Sequence, residues 1–278
     1  MKRIIHISVL LVFVLSAISL QAQNETLQRY WDDVDFHDTT LVSSQTMADK
    51  LVAFFYSFTD GDEQRFDSLS IAGLGVLLDK AKVNMRMYEY ILDFALNGYS
   101  SMGRDKVTDY LLNYPQLAEG EITMEEGLRL DSISEPYQKV RVGAKAPDVS
   151  AVSVDGIDYH LYDSKAKHII VVFWSTDCEY CHDFLVQIRK RLDLKSDFEL
   201  VTFALADNNE EVCRSVKKMR LPGYHFYDGL RWDSKAFLDY HVTSTPTVFV
   251  LDENKDIVAK PYDWKELKYW LKSNNISY

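Results

Sequence analysis

Along the first half of the chain, apolar residues recur every three or four positions. Met47, Leu51, Phe54, Phe55 and Phe58 fall on one face of a helix that Ser43 or Ser44 can cap and "TDGD" at 59–62 ends. Leu74, Leu77, Leu78 and Ala81 repeat the pattern, and so do Tyr88, Ile91, Leu92 and Ala95. A shorter set, Val107, Tyr110 and Leu111, stops before Pro115, and the acidic stretch 118–138 has room for one last short helix. Each stripe reads as the buried face of an all-α domain, with Tyr30, Trp31 and Phe36 packing onto it.

From Val140 the period changes to two. Val152 and Val154 alternate with Ser153 and Asp155, Asp155–Gly156 marks a hairpin turn, and Tyr159 and Leu161 carry the second strand. "HIIVVFW" at 168–174 is a continuous apolar run of buried-strand length. A helix follows with Phe184, Leu185, Ile188 and Leu192 facing inward, then a strand at 198–206 and a helix at 208–220. A short strand at 224–228, a short helix at 232–241, a strand–turn–strand unit at 245–262 and a closing helix at 263–273 complete the pattern. Strands alternating with helices argue for a central, largely parallel sheet with helices on both sides.

The first 22 residues change the picture of where the chain works. Lys2 and Arg3 precede an apolar run from Ile7 to Leu15, and Ala22 is the small residue before a cut, the layout of a secretory signal peptide. The run is short for a bilayer span and is interrupted by polar residues, and no other stretch could span a membrane, so no stable membrane insertion is expected after cleavage. The intact chain has 31 basic and 42 acidic residues, net −11; losing Lys2 and Arg3 and no acid leaves −13. A chain so acidic has no attraction for phosphate backbones, which excludes nucleic acid as a partner class. The expected division is a signal peptide at 1–22, a helical domain at 23–140 and an α/β domain at 141–278.

The candidate chemistry sits at "FWSTDCEYCHDF", residues 173–184. Its two cysteines three positions apart and the adjoining His182 suit a redox dithiol, half of a zinc site, or the attachment site of a c-type haem. Structural zinc needs four ligands, and only Cys213 is left over. A haem domain is usually a helical wrap around the porphyrin, whereas this motif directly follows a buried strand. That context suits a dithiol: Cys178 opens a helix whose free N–H groups favour a thiolate, and Cys181 lies one turn along, more buried. Asp177 and Glu179 add negative charge beside Cys178 and keep its thiol from becoming strongly acidic. Such a couple belongs to a reductant or isomerase rather than a strong oxidase.

"VFWSTDCEYC", "VTSTPTVFVLD" and "VGAKAPDVSAVSVDG" together resemble the thioredoxin fold, specifically the exported TlpA/ResA-like thiol–disulfide oxidoreductases, over about residues 141–275. The resemblance implies a central mixed sheet flanked by helices, a periplasmic location, and an inserted strand–helix unit at about 198–220. It makes Cys178 the nucleophile and Cys181 the resolving thiol, and it places Thr245 and a cis-Pro246 beside them to receive the substrate strand. No metal and no bound cofactor are implied; the partners are protein thiols or disulfides and a redox partner that the sequence does not name. "RYWDDVDFHDTTL" at 29–41 is similar to a helical domain that precedes thioredoxin-like domains in exported Gram-negative proteins. Three positions depart from the family: Asp177 replaces a tryptophan, Phe184 a glutamate, and Val172 a buried acid.

Among the remaining residues, Trp174 reads as packing under the active-site loop, His182 as a surface histidine, and Cys213 as a buried structural thiol. The leading function is disulfide exchange with proteins. A peroxiredoxin-like peroxidase and a non-catalytic partner-binding protein on the same scaffold are the alternatives.

Overall fold

The computed structural model describes residues 27, 29–57, 63–119, 124–194 and 197–278. Residues 1–22, expected from the sequence to be a signal peptide, and Phe58 lie outside them. The chain forms two compact units. One runs up to Leu96 and takes in Asp109–Leu111; the other comprises Asn97–Thr108 and Leu112–Tyr278. No helix among the described residues is long and apolar enough to cross a membrane.

The described residues between Thr39 and Lys139 form helices joined by short turns: a 3-10 turn at Thr39–Leu41, then α1 (Gln45–Tyr56), α2 (Glu63–Ala81), α3 (Met85–Ser101), α4 (Asp105–Glu119) and α5 (Met124–Lys139). Ser44 caps α1, its hydroxyl accepting from the Met47 N–H at 3.1 Å. The first three stripes expected from the period are buried: Leu51, Phe54, Leu74, Leu78, Ile91 and Leu92 are all fully covered. Trp31 packs edge-on against Phe54 at 4.9 Å. Two boundaries differ from the sequence reading. Helix α4 continues past Pro115, and α5 is 16 residues long, not short, with Pro136 inside it. A proline removes one N–H from a helix, and in both cases the elements run on through that single lost bond.

The second unit carries a hairpin of β1 (Ser150–Val152) and β2 (Asp158–His160), and a five-stranded sheet. The sheet's strands are β3 (His168–Ser175), β4 (Phe198–Leu205), β5 (Tyr224–Phe226), β6 (Thr247–Leu251) and β7 (Ile257–Ala259), in the order β5-β4-β3-β6-β7. Helices α6 (Glu179–Arg191), α7 (Asn209–Met219), α8 (Lys235–Asp239) and α9 (Trp264–Ser273) flank it. The sheet is mixed, as the resemblance implied, and not largely parallel. β5, β4 and β3 run parallel, whereas β6 is antiparallel to both β3 and β7. β4 pairs with β3 along all eight residues and with β5 on its other side, so it is an inner strand.

Because successive side chains of a strand point to opposite faces, β3 divides its apolar residues between two cores. Ile170, Val172 and Trp174 join residues of α6, α7 and α9 on one face. Ile169, Val171 and Phe173 join the hairpin and α8 on the other. Phe173 stacks on Phe203 at 5.0 Å and meets Phe237 edge-on at 4.9 Å.

Directly after β7, Lys260 is 7% exposed; its Nζ donates to the Ser100 carbonyl at 2.7 Å and sits 5.2 Å from the Phe249 ring centre. Burial pushes its pKa down to about 8, with Asp105 pulling the other way. The unfolded chain keeps that proton to its ordinary lysine value, so between about pH 8 and 10 the unfolded state binds more protons and stability rises with pH. Lys260→Met is expected to remove this rise: from pH 7.5 to 10 the wild type should gain about 2 kcal/mol relative to the variant. Denaturant titrations at the two pH values measure it, and equal pH slopes for the two proteins would refute the assignment.

Candidate active site

The continuous apolar run of β3 fixes where the motif sits. The strand ends at Ser175, the Thr176 N–H donates to the Leu205 carbonyl at the end of β4 at 3.0 Å, and Cys178 becomes the N-cap of α6. An N-cap takes extended backbone and presents its side chain to the free N–H groups of the first turn. Cys178 does so: its Sγ accepts from the Cys181 N–H at 3.1 Å. Helix geometry brings residue 181 back onto the same side one turn later, and the two sulfurs are joined in a disulfide with the Cα atoms 5.2 Å apart. The pair is unequal. Cys178 is half-buried at the loop, whereas Cys181 is fully buried among Trp174, Phe184 and Leu185.

The Thr245–Pro246 peptide is cis, and the Thr245 carbonyl oxygen lies 3.9 Å from the Cys178 sulfur. Four residues of the sequence reading, Cys178, Cys181, Thr245 and Pro246, thus gather at one place. Trp174 is fully buried beneath them, and its indole Nε1 has no hydrogen-bond partner among the described residues.

Residues 141–264 match the family model described as Redoxin. This stretch is a Redoxin domain. Over 118 residues the chain is 29% identical to the thioredoxin-like protein YneN of Bacillus subtilis, covering 41% of this chain and 67% of that protein. Over 125 residues it is 26% identical to the thiol-disulfide oxidoreductase ResA of Bacillus cereus, covering 44% of this chain and 70% of that protein. A thioredoxin-like protein from Bacteroides caccae, known from its crystal structure, shares the fold. Its TM-score is 0.57 at 16% identity, over 91% of this chain and 93% of that one.

Within the Redoxin domain, the departures from the family pattern have a structural basis. Phe184 and Val172 are buried in the apolar core on the Cys181 side of the sheet, where an ionised carboxylate would be costly. Asp183, one position off, is exposed. Two other residues differ from expectation. His182 is not a plain surface histidine: it is half-buried, its ring meets Trp174 edge-on at 5.7 Å, and its covered Nε2 has no hydrogen-bond partner among the described residues. Cys213 is a free thiol, but half-buried rather than buried, because it sits at the margin of the α7 stripe, 4.0 Å from the Val154 carbonyl.

The sequence reading passed over Tyr180. It lies between the two cysteines with 83% of its surface exposed, pointing away from the Cys181–Phe184–Leu185 stripe. The signal was present in the helical period, since position 180 falls off that buried stripe. An exposed aromatic ring beside a reactive sulfur is apolar surface available to a docking protein.

Proposed function

We propose that the chain is an exported thiol–disulfide oxidoreductase acting on protein thiols and disulfides through Cys178 and Cys181. The observation that carries this reading is the unequal pair itself: a half-buried sulfur at a helix start, bonded to a buried partner one turn away, beside the Thr245–Pro246 loop. The relative named as a thiol-disulfide oxidoreductase agrees with it.

In the reduced protein the Cys178 thiolate attacks a client disulfide. A mixed disulfide forms on Cys178 and one client sulfur leaves as a thiolate. Cys181 then gives up its proton and attacks Cys178, the second client thiolate departs, and the Cys178–Cys181 disulfide remains. The client gains two electrons and the dithiol loses two, which a thiol reductant must restore. The helix start favours the Cys178 thiolate through its free N–H groups. Thr245 and Pro246, beside that sulfur, receive the client strand. Trp174 holds the strand end beneath the loop in position.

Cys181→Ser tests the reading. It removes the resolving sulfur, so client proteins should accumulate as mixed disulfides on Cys178, visible on non-reducing gels and released by reductant. Recovery of no disulfide-linked protein from the native host would overturn it.

The direction of exchange follows from charge. Asp177 and Glu179 are both exposed and flank Cys178, where they oppose the helix terminus. A less stabilised thiolate gives a less oxidising couple, which places the protein on the reducing or isomerising side. The standard potential, measured against glutathione, is expected to fall below about −180 mV. A value near that of a dedicated periplasmic oxidase would refute this part alone. The basic and apolar pattern of residues 2–22 supports export to the periplasm.

A further inference from the structure

The hairpin ahead of β3 has an outer edge that meets the main sheet at one end only, where the Val154 N–H donates to the His225 carbonyl of β5 at 2.8 Å; at Ser150 and Val152 the edge is open. The Val149 carbonyl accepts from the Leu161 N–H at 2.8 Å, and the Ser153 N–H donates to the Ile157 carbonyl at 2.9 Å. Bonded residues alternate along an antiparallel pair. Val149, Ala151 and Ser153 therefore face β2, and Ser150 and Val152 turn their N–H and C=O groups outward. Among the described residues those outward groups bond to nothing, although unpaired strand edges are normally blunted or covered. Ser150 and Val152 are both exposed.

That edge borders a groove of about 480 Å³. Phe203, Phe226 and Phe237 form its floor, at the carboxyl end of β4 and β5 and at α8. The rim is acidic. Lys235 is already ion-paired with Asp239, so the charge left uncompensated at the rim is that of Asp148 and Asp228, both exposed. An open strand edge supplies main-chain bonds, an apolar trough takes alternate side chains, and acidic rims select for cations.

We propose that the outer edge of β1 and this groove dock an extended, lysine- or arginine-bearing segment of a partner polypeptide as an added strand. None of Cys178, Cys181, Thr245 and Pro246 lines this groove, and docking there needs no disulfide chemistry.

The test uses the full oxidised protein and a fluorescein-labelled, cysteine-free nonapeptide of alternating valine and lysine, read by fluorescence anisotropy. A peptide without sulfur cannot exchange disulfides, so the result stands or falls independently of the oxidoreductase reading. The lysine peptide should bind at least tenfold more tightly than its glutamate counterpart. Val152→Pro should weaken it at least tenfold, because proline deletes an outward donor that β2 does not use. Asp148→Lys combined with Asp228→Lys should abolish the preference for lysine; this variant carries the test if Val152→Pro loses its folded circular dichroism. Undetectable binding, unchanged affinity in Val152→Pro, or equal affinity for the two peptides would overturn the proposal. So would a concentration-dependent dimer in sedimentation that Val152→Pro abolishes, which would make a second copy of the chain the occupant.

Discussion

Cys178→Ala is expected to lower the rate of disulfide reduction by at least about 10³-fold, since residues that act as one chemical unit fail together when the nucleophile is lost. The asymmetry of burial makes this expectation specific to one sulfur. Cys181 is fully covered by the core around Trp174 and Phe184, so it cannot substitute as the attacking group. In a Cys213→Ala background, which removes the remaining half-buried thiol, Cys181→Ser should still release one equivalent of thiol from an aromatic disulfide reagent and then stop, whereas Cys178→Ala should release almost none. Cys213→Ala should leave turnover unchanged, because Cys213 lies on α7 and pairs with neither sulfur. The opposite pattern, with Cys178→Ala capturing reagent and Cys181→Ser inert, would exchange the two roles. Peroxide consumption at a rate comparable to disulfide exchange would instead favour the peroxidase alternative, and a host phenotype indifferent to Cys178→Ala would favour a non-catalytic role.

The residues that were easiest to read in the sequence are those whose position depends only on local period. Leu74, Leu78, Ile91 and Leu92 repeat at helical spacing, and every one is buried. The site was equally legible because its geometry is local: a strand, a tight turn and one helical turn put Cys178 and Cys181 together without help from the rest of the chain. Thr245 and Pro246 lie 67 and 68 positions downstream of Cys178, and only the family resemblance placed them beside it. Strand direction was the weakest part of the reading. An apolar run such as β6 records that it is buried on both faces but not which way it runs, and its antiparallel pairing with β3 depends on how the chain re-enters the sheet after α8. The exposures of His182 and Cys213 failed for a related reason. Both stand at the border of a helical stripe, where a neighbouring ring or a strand carbonyl decides the outcome.

Gly223→Ala is expected to cost about 4 kcal/mol or more, a large share of the stability of an ordinary domain. Two effects combine there. The backbone at Gly223 has φ +103°, a conformation that side-chain-bearing residues rarely adopt. A Cβ built on it would also stand 2.1 Å from the Leu200 carbonyl oxygen and 3.0 Å from its carbon. Those are backbone atoms of β4, which is held between β3 and β5, so they cannot rotate away as a side-chain end would. Relief would have to come from lifting the start of β5 off the sheet. Gly156 separates the two contributions: its φ is +84°, but nothing lies within 4 Å of where a Cβ would stand, so Gly156→Ala carries only the conformational part, about 1 kcal/mol. Urea titrations of both variants give the difference directly. If Gly223→Ala lost no more than Gly156→Ala, the close passage of the chain over Leu200 would be wrong. If it lost the full amount while disulfide exchange by the remaining folded protein held steady, the damage would be confined to the β5 edge, as expected for a dithiol carried by β3 and α6.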